Sequence, residues 1–258
     1  MNDRTAHAHQ LGALTYPDVE AILALPYPKV ALIPVGSTEA HGPHLPLQTD
    51  SLISEAMAGS AADLLATRGV ETVVFPTLHY AVTDWAGAFV GSVSISAETA
   101  TRLMLETCLA AHKMGFDRVA FMSGHLEPGH VQTMREVVRR YHEATGEALV
   151  FPDKTRRRHA EKLTAEFRSG SCHAGQYETS LVLATRPELV RRDIATKLPE
   201  HVVPMHIKIR EGAQDFLECG MDRAYCGNPA AASTGEGQQT IATLAELVAD
   251  AVQDSLAT

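Results

Sequence analysis

The sequence predicts an α/β fold with a mostly parallel central sheet, and three observations carry that expectation. Short apolar runs alternate with stretches whose apolar residues recur at helical spacing, the pattern of right-handed strand–helix–strand crossovers. The best of these runs, residues 29–36, is nearly continuous in apolar side chains, as in strands covered on both faces. Finally, 258 residues of which 45% are apolar can bury one full-sized core.

The elements follow in order. Residues 1–12 are polar and aperiodic and are expected to form a flexible arm, in which His7 and His9 make only a weak metal-like pair. Residues 13–258 are expected to form a single domain. Residues 29–36 read as a strand that Gly36 ends. Residues 49–68 read as a helix through Ile53, Met57, Ala61, Leu64 and Leu65, with Thr49 or Asp50 as a candidate N-cap and Gly69 as the stop. Strands are expected at 70–78, 117–122 and 148–151, and helices at 97–114, 129–141, 174–184 and 236–256. Residues 197–235, rich in Gly, Pro and short polar stretches, yield no assignment.

Composition narrows the function. Asp plus Glu number 31 against 22 Lys plus Arg, which argues against a nucleic-acid-binding surface. The run Arg156-Arg157-Arg158 reads as a solvated helix start. No apolar stretch approaches the ~20 residues that cross a bilayer. The four cysteines form no C-x-x-C pair and the N-terminus has no signal pattern, so a cytoplasmic location with reduced thiols is expected.

Two clusters carry chemistry. Glu39, His41, His44 and Asp50 fall within twelve positions just past the strand at 29–36, and Pro43 and Pro46 stiffen the backbone between them. His125 and Glu127 follow the strand at 117–122 in the same way. Ligands of open α/β sheets gather beyond the carboxyl ends of strands, so both clusters are expected at one edge. Carboxylate and imidazole suit divalent ions such as Zn²⁺ and Mn²⁺, with Fe²⁺ also compatible. Glu39, His41, Asp50, His125 and Glu127 exceed the needs of one catalytic zinc and suit two ions sharing a carboxylate. Two such ions could hold a bridging hydroxide against a substrate carbonyl. A shared ligand would have to be a carboxylate, because an imidazole nitrogen does not readily bond two ions.

The residues Pro34-Val35-Gly36-Ser37-Thr38-Glu39-Ala40-His41-Gly42-Pro43-His44-Leu45-Pro46-Leu47 with Asp50, then Gly124-His125-x-Glu127, then His173-Ala174-Gly175-x-x-Glu178, resemble the creatininase family over about residues 15–190. The resemblance implies a three-layer αβα sandwich, commonly homohexameric, that cleaves C–N bonds of cyclic amides or formamides. It further implies a binuclear centre in which Glu39 and His125 hold one ion, His41 and Glu127 the other, and Asp50 bridges. His173 is expected to give a proton to the leaving nitrogen, a task for a group titrating near neutrality, with a substrate hydrogen bond or simple packing as the alternatives, and Glu127 is counted among the catalytic residues as well as the ligands. Glu178 is expected either to orient His173, to touch substrate or to lend structural support, and His44 to stay off the metal.

Departures from the family pattern bear on the substrate. Where creatinine-specific members carry a Trp-Asp pair, this chain has Ser169-Gly170-Ser171-Cys172, so creatinine itself is not expected. Trp85, the only tryptophan, together with Asp84 and Cys172, is placed as a substrate contact or, for Trp85, as ordinary packing. The leading expectation is a binuclear amidohydrolase acting on a small-molecule cyclic amide or formamide. Ring opening of an oxidised cyclic sugar, peptide trimming and a noncatalytic metal-binding domain are the alternatives.

Overall fold

The computed structural model describes residues 8–258. Its first half runs β1 (Ala8–Gln10), α1 (Tyr16–Leu23), β2 (Lys29–Val35), α2 (Thr49–Thr67), β3 (Glu71–Val74), α3 (Ala97–Met114), β4 (Arg118–Ser123) and α4 (Pro128–Thr145). The second half is helical: α5 (Arg157–Ala160), α6 (Ala165–Ser169), α7 (Gln176–Thr185), α8 (Arg192–Ala195), α9 (Met205–Glu211) and α10 (Thr234–Leu256). The strands form one parallel sheet in the order β1-β3-β2-β4.

Alternation along each strand builds the three layers. Val30 and Leu32 of β2, with Ala120 and Met122 of β4, face a core shared with α2, α7 and α10. Ala31, Ile33 and Val35, with Val119 and Phe121, face the opposite core formed with α1, α3 and α4. Leu32, Ile33, Phe121 and Met122 are almost wholly enclosed, each contributing roughly 1.5–3 kcal/mol by leaving water. This is the predicted αβα sandwich.

Three boundaries differ from the sequence expectation. Residues 8–10 are not part of an arm but pair with β3 from Ala8↔Thr72 to Gln10↔Val74, and His9 bonds Glu71 at 2.7 Å; His7 lies outside the described residues. The strand expected at 70–78 keeps its ladder only through Val74, then departs and returns for a single bridge, Val35↔Leu78. The strand expected at 148–151 reduces to one bridge, Ala120↔Val150, because only Val150 meets β4.

The register of β2 with β4 runs from Val30↔Arg118 to Val35↔Ser123, so the two strands finish level. The loops they release carry Glu39 and His41 on one side and His125 and Glu127 on the other. Both loops press on the first turn of α2. A side chain at Gly36 would reach within 2.3 Å of Ser51, and one at Gly124 within 2.4 Å of the Asp50 carbonyl, so only glycine permits this approach. The Ser54 hydroxyl accepts the Gly124 N–H at 2.6 Å and donates to the Val35 carbonyl at 2.6 Å, joining the two strand ends through α2.

Candidate metal centre

Three helices deliver carboxylates with their first turns. Asp50 lies in the first turn of α2, Glu178 in that of α7, and Glu127 immediately precedes α4. The positive end of each helix dipole favours a negative side chain there. Asp50 does not cap its helix. Thr49 N–H is taken by the Pro46 carbonyl at 3.1 Å, and the Asp50 carboxylate accepts the Ser37 hydroxyl at 2.6 Å while facing two imidazoles.

Backbone carbonyls fix the histidine tautomers, because a carbonyl only accepts. His125 Nε2–H donates to Val82 at 2.8 Å, leaving Nδ1 bare toward Asp50 (3.0 Å) and Glu39 (3.2 Å). His41 Nδ1–H donates to the Glu39 carbonyl at 3.1 Å, leaving Nε2 bare 3.5 Å from Asp50, 3.5 Å from Glu178 and 3.7 Å from the Glu39 carboxylate. His173 Nε2–H donates to Ala40 at 3.0 Å, and its Nδ1 lies 4.0 Å from Glu39. A hydrogen bond on the far ring nitrogen is how proteins hold an imidazole ready for a metal.

These spacings fit shared ions. Two donor atoms each about 2.1 Å from one ion lie about 3.0 Å apart at a right angle and about 3.4 Å apart at the tetrahedral angle. Glu39, Asp50 and His125 form one group that could hold an ion, and His41, Asp50 and Glu178 form another, with Asp50 common to both; Glu39, His41 and His173 make a third. Glu39 Oε2 and His41 Nε2 are buried without any hydrogen-bond partner, a costly state that a bound cation would relieve.

Electrostatics point the same way. Burial alone would lower the His41 imidazole, but the carboxylates of Asp50, Glu178 and Glu39 outweigh it and push it up to about 10. His125 is raised against burial by Glu39 and Asp50. Asp50 is held well below its ordinary value, against burial, by His41 and His125. Burial pushes both Glu127 and Glu178 up to about 7. A cluster that draws protons this strongly draws divalent cations for the same reason.

Glu127 stands apart from the ligand groups, contrary to the pairing with His41 that the resemblance implies. Its Oε1 and Oε2 accept the backbone N–H groups of Asp84 and Trp85, both at 3.1 Å, and its approach to His125 is 4.0 Å on the Nε2 side, away from the bare nitrogen. Glu178, whose role the sequence left open between orienting His173, touching substrate and structural support, lies beside His41 at 3.5 Å, braced by the Ala174 N–H at 2.7 Å. Ala174 adopts a left-handed φ of 50°, a strain of order 1–3 kcal/mol held between His173 and Glu178. His44 lies off the ligand groups, bonded to the Thr179 hydroxyl at 2.9 Å.

A cavity of about 760 Å³ opens above this floor, walled by Trp85, Phe167, Cys172, Met205, Ile209 and Phe216. Trp85 meets Phe216 edge-on at 6.1 Å, and His173 lies between His41 (4.4 Å) and Phe216 (4.3 Å). Asp84 does not line the cavity: its carboxylate accepts the Ser94 hydroxyl at 2.6 Å, and only its backbone N–H serves the site. Burial raises the Cys172 thiol far above its ordinary value, which removes it as a nucleophile beside His173. Two participants had no visible signal in the sequence: Phe216, from the unassigned region, and Lys154, buried with its Nζ donating to the Gly124 carbonyl at 3.3 Å.

Fold and site together define an αβα protein with a candidate binuclear metal centre at the strand ends. The chain belongs to the creatininase family, whose profile, described as creatinine amidohydrolase, matches residues 12–252. It is 29% identical to the mycofactocin precursor peptide peptidase of Mycolicibacterium smegmatis over 87% of this chain and 84% of that protein. It is 25% identical to the creatinine amidohydrolase of Pseudomonas putida over 75% and 78% of the two chains. Among solved structures, a manganese creatininase superposes with a TM-score of 0.70 at 22% identity, covering 96% of this chain and 98% of that one. A creatininase variant of Zn–Zn type superposes with a TM-score of 0.69 at 22% identity, covering 95% and 97%. These last two likenesses are of fold.

Proposed function

We propose that this chain is a metal-dependent amidohydrolase that cleaves a C–N amide bond of a peptide-sized substrate. The observation that carries the reading is the convergence of Glu39, His41, Asp50, His125 and Glu178, with two orphaned buried donors, beneath a cavity of about 760 Å³. In this reading Glu39 and His125 hold one ion, His41 and Glu178 the other, and Asp50 is shared. The donors suit Zn²⁺ and Mn²⁺, the ions named for the related solved creatininases. When bound, two such ions supply the positive charge that acidifies a water and polarises the scissile carbonyl.

The remaining work belongs to the protein. Water oxygen bonds to the carbonyl carbon, the C–N bond breaks, and a proton reaches the departing nitrogen, giving acid and amine. Glu127 carries that proton: burial brings its carboxyl up to about 7, and the amides of Asp84 and Trp85 aim it. In this reading His173 acts as an orienting group rather than as the proton donor. Its one ring proton is committed to the Ala40 carbonyl, and burial followed by the neighbouring His41 holds it neutral, so its bare Nδ1 accepts a hydrogen bond from water or substrate. Trp85 and Phe216 offer apolar surface to the substrate, and Cys172 lines the same wall.

The cavity is far larger than a creatinine ring requires, and the peptidase likeness supports an extended amide. A small cyclic amide or formamide is the second reading, supported by the Pseudomonas putida relative. A homo-oligomer, proposed as a hexamer, rests on membership of the family. Free thiols at all four cysteines support a cytoplasmic location. The test is release of amine from a panel of peptides, formamides and cyclic amides by Zn²⁺- or Mn²⁺-loaded protein. Turnover that needs the ions and is lost on chelation supports the reading. Metal-loaded protein inert toward every amide would refute it.

A further inference from the structure

The cavity is electrically two-ended. Its floor holds Glu39, Asp50, Glu127 and Glu178, whereas its rim holds Arg135, Arg168 and His206. The rim cations are not equivalent. Arg135 is already satisfied, donating to Asp153 at 2.7 and 3.0 Å and to the Thr155 hydroxyl at 3.0 Å. Arg168, at the end of α6, donates Nη1 to the Leu163 carbonyl at 2.7 Å, and among the described residues no carboxylate lies within ion-pair distance of it. One corner of its guanidinium is tethered while the rest of the fork stays open to another acceptor.

His206 sits on the same rim. Met205 N–H donates to the Gly170 carbonyl at 3.2 Å, and a side chain at Gly170 would strike the His206 ring at 2.5 Å, so α9 is seated against the segment that follows Arg168. Phe167, Met205, Ile209 and Phe216 give the same cavity an apolar wall.

The geometry points to a carboxylate subsite at Arg168, so that the preferred amide carries apolar side chains and ends in a free carboxylate held by the Arg168 guanidinium, with His206 beside it. Such a ligand matches the cavity at each level: a neutral scissile amide over the metal centre, apolar groups along the apolar wall, and an anion at the uncompensated cation. The Arg168 guanidinium holds the carboxylate end of the ligand away from the metal centre, so the arrangement sets direction as well as affinity. This assignment rests on the amidohydrolase reading for its catalytic meaning, although binding at Arg168 does not depend on turnover.

The test uses metal-loaded protein and a matched pair of acetylated tripeptides ending in Phe, one a free acid and one a C-terminal carboxamide. Calorimetry on Glu127→Gln protein reads binding without hydrolysis, and wild-type turnover is followed in parallel. The free acid is expected to bind about tenfold or more tightly than the carboxamide, the range of a charge-assisted pair. Adding Arg168→Gln should erase that preference by weakening the acid alone, and in wild type the preference should fall in KM rather than kcat. Equal binding of the two peptides overturns the subsite, as does absence of binding by the acid. A preference that survives Arg168→Gln also overturns it, for the carboxylate would then be bound at the ions. An Arg168-dependent preference without hydrolysis of any amide would sustain the subsite and refute the catalytic reading instead.

Discussion

Exchanging one carboxylate for its amide separates the two roles assigned to Glu127 and Glu178. Glu127 accepts two backbone N–H groups at 3.1 Å, and a glutamine has only one oxygen, so Glu127→Gln turns an NH₂ group against one of them. Leaving one buried donor unmatched costs about 1–3 kcal/mol. At roughly 2–4 °C per kcal/mol for a chain of this size, the melting temperature should fall by about 2–12 °C. Both ions should remain, while kcat falls about 10²–10⁴-fold through loss of the proton carrier. Glu178→Gln has a different outcome. Its Oε2 lies 3.5 Å from the bare His41 nitrogen, a spacing that one ion spans, so the variant should lose one ion of the pair. Changes to residues that merely support a ligand cost about 10–100-fold in affinity, and removing a ligand charge should exceed that. Elemental analysis after gel filtration, with amide turnover measured on the same samples, reads both effects. If Glu127→Gln sheds an ion and Glu178→Gln keeps two, the division of roles is wrong.

Three further outcomes follow from the geometry. Gly124→Ala would drive a methyl group to 2.4 Å from the Asp50 carbonyl, and should destabilise the fold by about 1–3 kcal/mol and weaken metal binding, read by thermal melts with and without Zn²⁺. His173→Ala should retain both ions, since Glu39, His41, Asp50, His125 and Glu178 stay in place, yet lower kcat, with metal content and turnover as the paired readout. In metal-free protein, Glu127 and Glu178 at about 7 and His41 at about 10 all lie above their ordinary values. Burial lowers His44 to about 4 and holds His130 and His173 well below the ordinary value, which offsets the raised glutamates in mild acid, so the folded state holds more protons than the unfolded one between about pH 7 and 10. Stability of the metal-free protein should fall as pH rises through that window, and the gain on adding Zn²⁺ should grow; denaturant melts across pH that show the reverse slope would contradict the clustered charges.

Much of this arrangement was legible in the sequence where local pattern coincides with burial. Continuous apolar β2 and the helical spacing of α2 identified the layers, and the tight run from Glu39 to Asp50 placed the first cluster at a strand end. The place of Glu178 beside His41 was not legible because α7 is enclosed on nearly every side. Tyr177, Thr179, Ser180, Leu181 and Val182 are all buried around it, so periodicity gives no hint of which face meets the metal site. Spacing alone likewise could not reveal that the amides of Asp84 and Trp85 donate to the Glu127 carboxylate. Phe216 and Met205 reach the cavity only through tertiary contacts of a region without repeating pattern, and the three residues of β1 are too few to display alternation. Lys154 looked like any surface lysine until the fold enclosed it.

Metal content of an Asp50 variant tests the central claim most directly. Asp50 belongs to both ligand groups, so purified Asp50→Ala protein, confirmed as folded by circular dichroism and analysed beside wild type, should have lost both ions while wild type carries two per chain. Two ions retained in the folded variant would contradict a centre built around a shared Asp50.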